Sequence, residues 1–415
     1  MHVVVLGAGV IGITTAYQLL KDGHRVTVID RGDVPASFTS YANAGLLAPG
    51  HAYAWGSPAA PGMMLRSLLR GDQAIRFKPR LSRRQWRWTR AFLAQCSAER
   101  AAANTRIKTR LCRYAQAELE KVVAETGIGY DGRGGGLLYF YRTPERLEAA
   151  SARADLLRAE GLELRRLSRD EVIATDPGLV LARDRIAGGL LAPSDASGDA
   201  HLFARALAEL CVGLGADLRL NTEIRSLTVK RGEITAAETS TGSVAGDAFV
   251  LCLGVYSPHL AETLKINLPI YPVKGYSVTV PAADLDTPPA IGGVDEENLL
   301  AYCPMGNRLR LTATAEIGGY STAHRPADFR VMLARAQEIF GCCLGATGVT
   351  YWAGLRPMTP TGLPIVDRAP IANLWLNTGH GHMGWTMSNG CARMVADLVG
   401  QRAPSHSNEG MRHEG

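Results

Sequence analysis

The first thirty residues constrain this chain more than any other stretch. "HVVVLGAGVIGITTAYQLLKDGHRVTVIDR" opens on an apolar run short enough for a buried parallel strand and turns at Gly7, Gly9 and Gly12. It continues with helical periodicity through Leu19 and Leu20 and returns as a second strand, "RVTVID". Strand, G-x-G-x-x-G, helix, strand and acid in that order describe a dinucleotide-binding βαβ unit. Gly7 permits the tight turn, Gly9 lets the backbone approach a pyrophosphate, and Gly12 lets the helix lie close on the strand. The helix start offers unpaired N–H groups and a positive dipole to the phosphates. Asp30 stands where it can accept from the adenosine ribose hydroxyls. NAD and FAD both satisfy this motif.

A nicotinamide enzyme usually continues with further βα units, but from Arg31 the chain enters "SFTSYANAGLLAPGHAYAWG". Its small residues, Ser40, Asn43, Ala44 and Gly45 leading to Leu46, suit a loop pressed along an extended, buried cofactor. Arginine-rich helices follow to about Glu125, then a strand in "YDGRGGGLLYFYRT" and a polar helix from Pro144 to Gly161. The α/β rhythm returns with a helix over His201 to Leu214, a strand broken at Asn221 and Thr222 before Ile224, and a buried strand "AFVLCLG" ending at Gly254. From Ile270, alternation in "YPVKGYSVTVP" and "RLRLTATAEI" predicts an antiparallel sheet with one solvated face. The expected architecture is α/β plus α+β. A Rossmann-like cofactor domain takes 1–50, 195–262 and 348–404, and a substrate domain on an antiparallel sheet takes 51–194 and 263–347. Residues 405–415 read as a disordered tail.

A second glycine cluster, "NTGHGHMGWTMSNG", lies at Asn377–Gly390. It follows a buried strand, "LWLNTG", and precedes a helix over Trp385 to Val399 with a core face of Met387, Met394, Val395, Leu398 and Val399, capped at Gly400. His380 and His382 suggest a metal, but the neighbourhood supplies no third or fourth ligand, so no metal is expected. A loop at a helix N-terminus instead suits a flavin, whose ring gains negative charge at its N1 and C2 oxygen end on reduction. On this reading the first loop takes the phosphates and the last takes the ring. His382 then lies near the ring, and His380 packs and hydrogen-bonds within the loop.

With 415 residues, 46% of them hydrophobic, the chain has material for about two domains. No apolar run reaches membrane-spanning length and the N-terminus lacks the features of a secretory signal, so a cytoplasmic protein is expected. The eight cysteines form no CxxC pair or Cys/His ligand set and read as reduced thiols, with the adjacent Cys342 and Cys343 given no role. Arginine is concentrated between Arg66 and Arg113, interleaved with Trp86, Trp88, Phe92 and Leu93. This pattern reads first as a solvated helical face with a packed underside and second as a surface for anionic lipid. No nucleic-acid motif accompanies the charge.

Taken with "VVVLGAGVIG", the stretches "TSYANAG", "YPVKGYS", "WAGLRPMTPTGLPIV" and "NLWLNTGHGHMGWTM" give the chain a resemblance to the bacterial D-amino acid dehydrogenase small-subunit family. That family falls within the D-amino acid oxidase and glycine oxidase superfamily, and the resemblance covers nearly the whole length. It implies a noncovalent FAD lying along Val10, Ile11, Arg31, Ile224, Gly254, Gly381, Met383, Gly384, Trp385 and Thr386 as well as the residues above. It also implies oxidation of a D-amino acid to an imino acid that water hydrolyses to a 2-oxo acid, with electrons passed to a quinone at the inner face of the membrane. In such a reaction hydride leaves Cα for flavin N5 while the amine lone pair pushes, so the protein must fix orientation and select the neutral amine. The arginine of "GLRP", Arg356, is implied as the carboxylate ligand. Tyr302 is implied as an assisting tyrosine, with Tyr276 second. Thr361 replaces the family's acid, and His382, Met383 and His51 are unusual beside the pocket. These departures open the substrate question toward a cyclic compound such as D-proline or a hydroxy-D-proline. The rival readings are an oxygen-using glycine or sarcosine-type amine oxidase and a noncatalytic subunit that holds FAD; the intact Arg356 argues against the latter.

Overall fold

In the computed structural model, which describes residues 1–69, 75–341 and 348–413, the opening motif builds the centre of a six-stranded sheet. Cys342 and Cys343 lie outside the described residues. His2–Leu6 pairs in parallel with Arg25–Ile29 on one side and Ala248–Leu251 on the other. Leu374–Thr378 extends the sheet beyond Ala248–Leu251, Ile365–Arg368 closes that edge antiparallel, and Asp217–Arg219 forms the opposite edge. Val3 to Leu6 are apolar throughout because both faces are covered. Val10–Lys21 and Gly384–Val399 pack on one face, and the three-stranded sheet of Ile224–Lys230, Glu233–Thr239 and Gly242–Ala245 packs on the other. The strand Arg25–Ile29 lies to one side of His2–Leu6 and Ala248–Leu251 to the other, so a crevice opens at the strands' carboxyl ends.

A nine-stranded sheet forms the second layer. Its order runs Thr350–Met358, Tyr271–Pro281, Arg308–Ile317, Leu300–Met305, Gly292–Asp295, Leu137–Tyr141, Gly188–Ala192 and Arg165–Ser168, with Ile75–Phe77 pairing beside Arg308–Ile317. The strand Thr350–Met358 was grouped by sequence with the cofactor-binding segments. It pairs instead with Tyr271–Pro281 at the edge of this sheet. The expected solvated face is also absent, since nearly all of Tyr271–Pro281 is buried. One face packs on Arg330–Phe340 and its neighbours, and the other roofs an internal cavity. Alternation reports two environments, and here the second is a cavity rather than bulk water.

Two further expectations fail for packing reasons. The last helix is buried nearly all round, with Ser388, Asn389 and Asp397 inside and Leu398 half-exposed, because it lies between Val10–Lys21 and Ala98–Thr126. The chain after Pro404 is docked rather than disordered through His413. Ser405 caps the Asp397 carboxylate, His406 stacks on Tyr114, and Met411 is buried with its carbonyl accepting from Val366. Residues 414 and 415 lie outside the described residues. The described cysteines, Cys96, Cys112, Cys211, Cys252, Cys303 and Cys391, are free thiols. No helix among the described residues is long and apolar enough to cross a membrane.

Candidate active site

A cavity of about 970 Å³ runs from the first glycine turn to the underside of the nine-stranded sheet. At the turn, Gly7 has φ of 113°, and a Cβ there would lie 2.7 Å from the Cys252 carbonyl oxygen. Gly12 does not line the cavity; a Cβ on it would strike the Gly7 carbonyl, so its role is close packing of helix on turn. Every other residue expected at the cofactor lines the cavity. Asp30 braces this end, its two carboxylate oxygens accepting from the Ala8 and Gly32 N–H groups at 2.7 Å each. Val10 N–H donates to Ser40 Oγ at 3.2 Å, fastening the small-residue loop to the helix start. Thr386 Oγ1 accepts from Ala48 N–H at 3.2 Å and donates to the Leu46 carbonyl, which ties the last helix to the same loop.

The far end is polar but unfinished. Asn377 Oδ1, His380 Nε2, His382 Nε2 and Trp385 Nε1 are buried without partners, and all four residues line the cavity. Buried polar atoms are normally satisfied, so this set suits a large ligand with several hydrogen-bonding edges, as a flavin has. A glycine turn for phosphates at one end and a helix N-terminus with these orphaned groups at the other match the two ends of FAD. Burial lowers His380 to about 3; its carbonyl accepts from the Met383 N–H within the loop at 3.3 Å, while its ring Nε2 has no partner. Burial, aided by the charges of Lys108, Arg356 and His51, holds His382 well below the usual imidazole range, so it is neutral. No cluster of metal-ligating side chains occurs among the described residues.

Arg356 reaches the cavity from Thr350–Met358, whose alternation puts Trp352, Gly354 and Arg356 on the cavity side and Ala353 in the opposite core. Its Nη1 donates to the Thr314 carbonyl at 3.1 Å. Thr314 has φ of 66°, a conformation a β-branched residue rarely adopts, and that twist aims its carbonyl at the guanidinium. No carboxylate pairs with Arg356 among the described residues, and burial lowers its pKa to about 10. The side chain lies over Gly275, where a Cβ would sit 2.5 Å from Nη2. Its Cζ is 6.0 Å from the Trp55 ring, and Trp55 stacks on His382 with centroids 4.6 Å apart.

Of the two tyrosines, only Tyr276 borders the cavity, and it does so from behind: its ring packs against Phe329 in the opposite core and its hydroxyl donates to Glu316, which does not line the cavity, at 3.2 Å. Tyr302 faces away from the cavity. It is fully buried among Phe140, Leu311 and Phe340, because strand alternation gives the cavity side to Ala301. His51 lines the cavity with Nε2 2.8 Å from Glu296 Oε1. Burial raises the Glu296 carboxyl, but the His51 charge and hydrogen bond, with Arg153 behind them, hold it below the usual range. Sequence reasoning missed Trp55, Gly275, Thr314 and Glu296. Trp55, at the end of the small-residue loop, was within reach of the sequence; the others depend on strand register.

The comparisons with known proteins agree with this geometry. The family described as FAD dependent oxidoreductase matches residues 2–398. D-amino acid dehydrogenase 2 of Mesorhizobium japonicum is 41% identical over 416 residues, covering 100% of both chains. A D-amino acid dehydrogenase of Cereibacter sphaeroides is 42% identical, covering 97% of this chain and 93% of its own length. Among solved structures, glycine oxidase from Bacillus cereus shares the fold with a TM-score of 0.76 at 23% identity, covering 99% of this chain and 97% of that one. With a cavity shaped for a dinucleotide and full-length relatives at this identity, the chain belongs to the FAD dependent oxidoreductase family.

Proposed function

We propose that this protein oxidises D-amino acids at Cα, with FAD accepting the two electrons and an acceptor other than oxygen taking them onward. The observation that carries the reading is Arg356, a buried guanidinium in the cavity with a backbone carbonyl on one side and no acidic partner among the described residues. A substrate carboxylate supplies the missing charge through a planar, bidentate contact. The names of the full-length relatives support the substrate class.

Trp55, between Arg356 and His382, gives a flat apolar wall beside the carboxylate site. Such a wall favours a compact ring over a long flexible side chain, and a D-proline-like substrate fits it. Neutral His382, with Nε2 free, offers the amine a hydrogen bond without adding positive charge.

The acceptor we propose is a membrane quinone. Leu65, Leu68, Leu81, Trp86 and Leu93 are exposed on and between the helices Ala60–Leu69 and Arg83–Ala94, with Arg66, Arg83, Arg87 and Arg90 exposed among them. The underside is packed, Trp88 donating to the Met358 carbonyl at 2.8 Å. An apolar tip ringed by arginine suits the surface of an anionic bilayer, which supports a location at the inner face of the membrane.

The test is turnover of D-alanine, D-proline and cis-4-hydroxy-D-proline with a soluble quinone analogue, alongside oxygen uptake without it. Quinone reduction with D-compounds and negligible oxygen uptake is the expected result. Oxygen uptake at the same rate would point to a glycine or sarcosine-type oxidase instead.

A further inference from the structure

One buried cation lies behind the ring-binding loop with no carboxylate beside it among the described residues. Lys108, on the long helix Ala98–Thr126, is 1% exposed. Its Nζ donates to the Tyr53 carbonyl at 2.6 Å and meets no carboxylate among the described residues. An ammonium carries three donors, so two are unused. Burial lowers its pKa to about 8, which leaves it protonated at neutral pH. A lone ammonium is costly to bury, and an apolar side chain would fill this helix position without that cost.

Its surroundings say where the charge acts. Tyr53, whose carbonyl Lys108 holds, lines the cavity. Nζ lies 3.8 Å from the point a Cβ on Gly362 would occupy, in the turn that follows the Arg356 strand. Its charge influences the His382 ring more than that of either Arg356 or His51. Cys112, one turn along the same helix, is pushed up to about 12 by burial and supplies no negative charge. Arg356 finds its anion in the substrate; Lys108 is too deep to do so, since it does not line the cavity.

We propose that Lys108 is a positioning residue acting through charge: its ammonium favours the negative charge that FAD gains at the N1 and C2 oxygen end on reduction. The transfer breaks the substrate Cα–H bond and delivers its electron pair and proton to the ring. The amine becomes an iminium, and the ring is left with one net negative charge. Lys108 and the N-terminus of Gly384–Val399 then act on the same end of the ring. This rests on the reading that the Gly381–Gly384 loop meets that end, and it does not depend on which amine is oxidised.

The test is the two-electron reduction potential of the FAD-loaded protein, equilibrated against a reference dye without any amine substrate. Lys108→Met is expected to weaken reduction by about tenfold for one buried charge, equal to a fall of about 30 mV for a two-electron couple. Lys108→Arg is expected to stay near the parent value, and Lys108→Gln carries the same expectation as the methionine variant should that one lose FAD. Equal potentials in the neutral variants and the parent, at matched FAD content and visible spectrum, would overturn the proposal. An equal fall in Lys108→Arg would overturn it too, because charge would then not be the cause. Failure of the parent chain to hold FAD would instead overturn the cofactor placement on which the proposal rests.

Discussion

Gly275→Ala is the smallest change that reaches the substrate carboxylate. The backbone at Gly275 has no left-handed φ, so alanine meets no conformational obstacle there and the effect is steric. Its Cβ would lie 2.5 Å from Arg356 Nη2 and 2.7 Å from Cζ, whereas ordinary contact begins at 3.4 Å, so the guanidinium must withdraw by about 0.9 Å. Strand pairing fixes the Arg356 backbone opposite Val273, so the side chain must absorb the shift. A displacement of about 1 Å in a group that orients substrate costs roughly 100-fold in rate, or about 2.7 kcal/mol of transition-state stabilisation. We expect kcat/KM for D-alanine to fall by about this factor, with FAD content and melting temperature near the parent values. An amine lacking the carboxylate should be oxidised slowly and equally by both proteins. Unchanged kcat/KM for D-alanine would refute the role given to Arg356, because a guanidinium that can move this far without consequence does not hold the substrate.

Tyr302→Phe should leave KM unchanged and stability equal or higher by about 1 kcal/mol, since the hydroxyl is buried without a partner and faces away from the cavity; a raised KM would return Tyr302 to the site. Asp195, which accepts from Gly50 N–H and Tyr139 Oη, is raised to about 7 by burial. The native state therefore keeps a proton between about pH 4 and pH 7 that the unfolded chain has lost, and stability falls as pH rises through that window. Asp195→Asn should flatten the fall, worth roughly 3 kcal/mol between pH 5 and pH 8, in denaturant titrations at those two values; an unaltered slope would contradict it. Arg83→Glu with Arg87→Glu should abolish co-sedimentation with anionic vesicles while leaving activity toward a soluble acceptor intact, and retained sedimentation would move the membrane contact elsewhere.

Much of the cofactor end was legible in the sequence because its determinants are local. The turn at Gly7, the close packing of Gly12 and the helix start at the cavity all follow from spacing within one βαβ unit. The final glycine loop was legible for the same reason, since strand, loop and helix succeed one another directly. The substrate end was less so. Whether Tyr302 or Ala301 faces the cavity is a one-residue question of register, and a resemblance at the level of a motif does not settle it. The solvated face assigned to Tyr271–Pro281 failed because polar and small residues lining a cavity look like residues lining water. Lys108 gave no signal, as a lysine in an arginine-rich helix reads as surface until the long helix is seen to run through the core. The docked tail was hidden because Met411 and Asn408 hold it through isolated contacts, whereas its composition resembles that of a free terminus.

An amino acid of one handedness should reduce the bound FAD directly. The most direct test is the visible spectrum of the FAD-loaded protein without oxygen, after addition of D-alanine, D-proline or cis-4-hydroxy-D-proline, with each L-enantiomer as control. Loss of the flavin absorbance is expected with a D-compound and none with its mirror image. Bleaching by neither enantiomer of any compound, or by both equally, would contradict it.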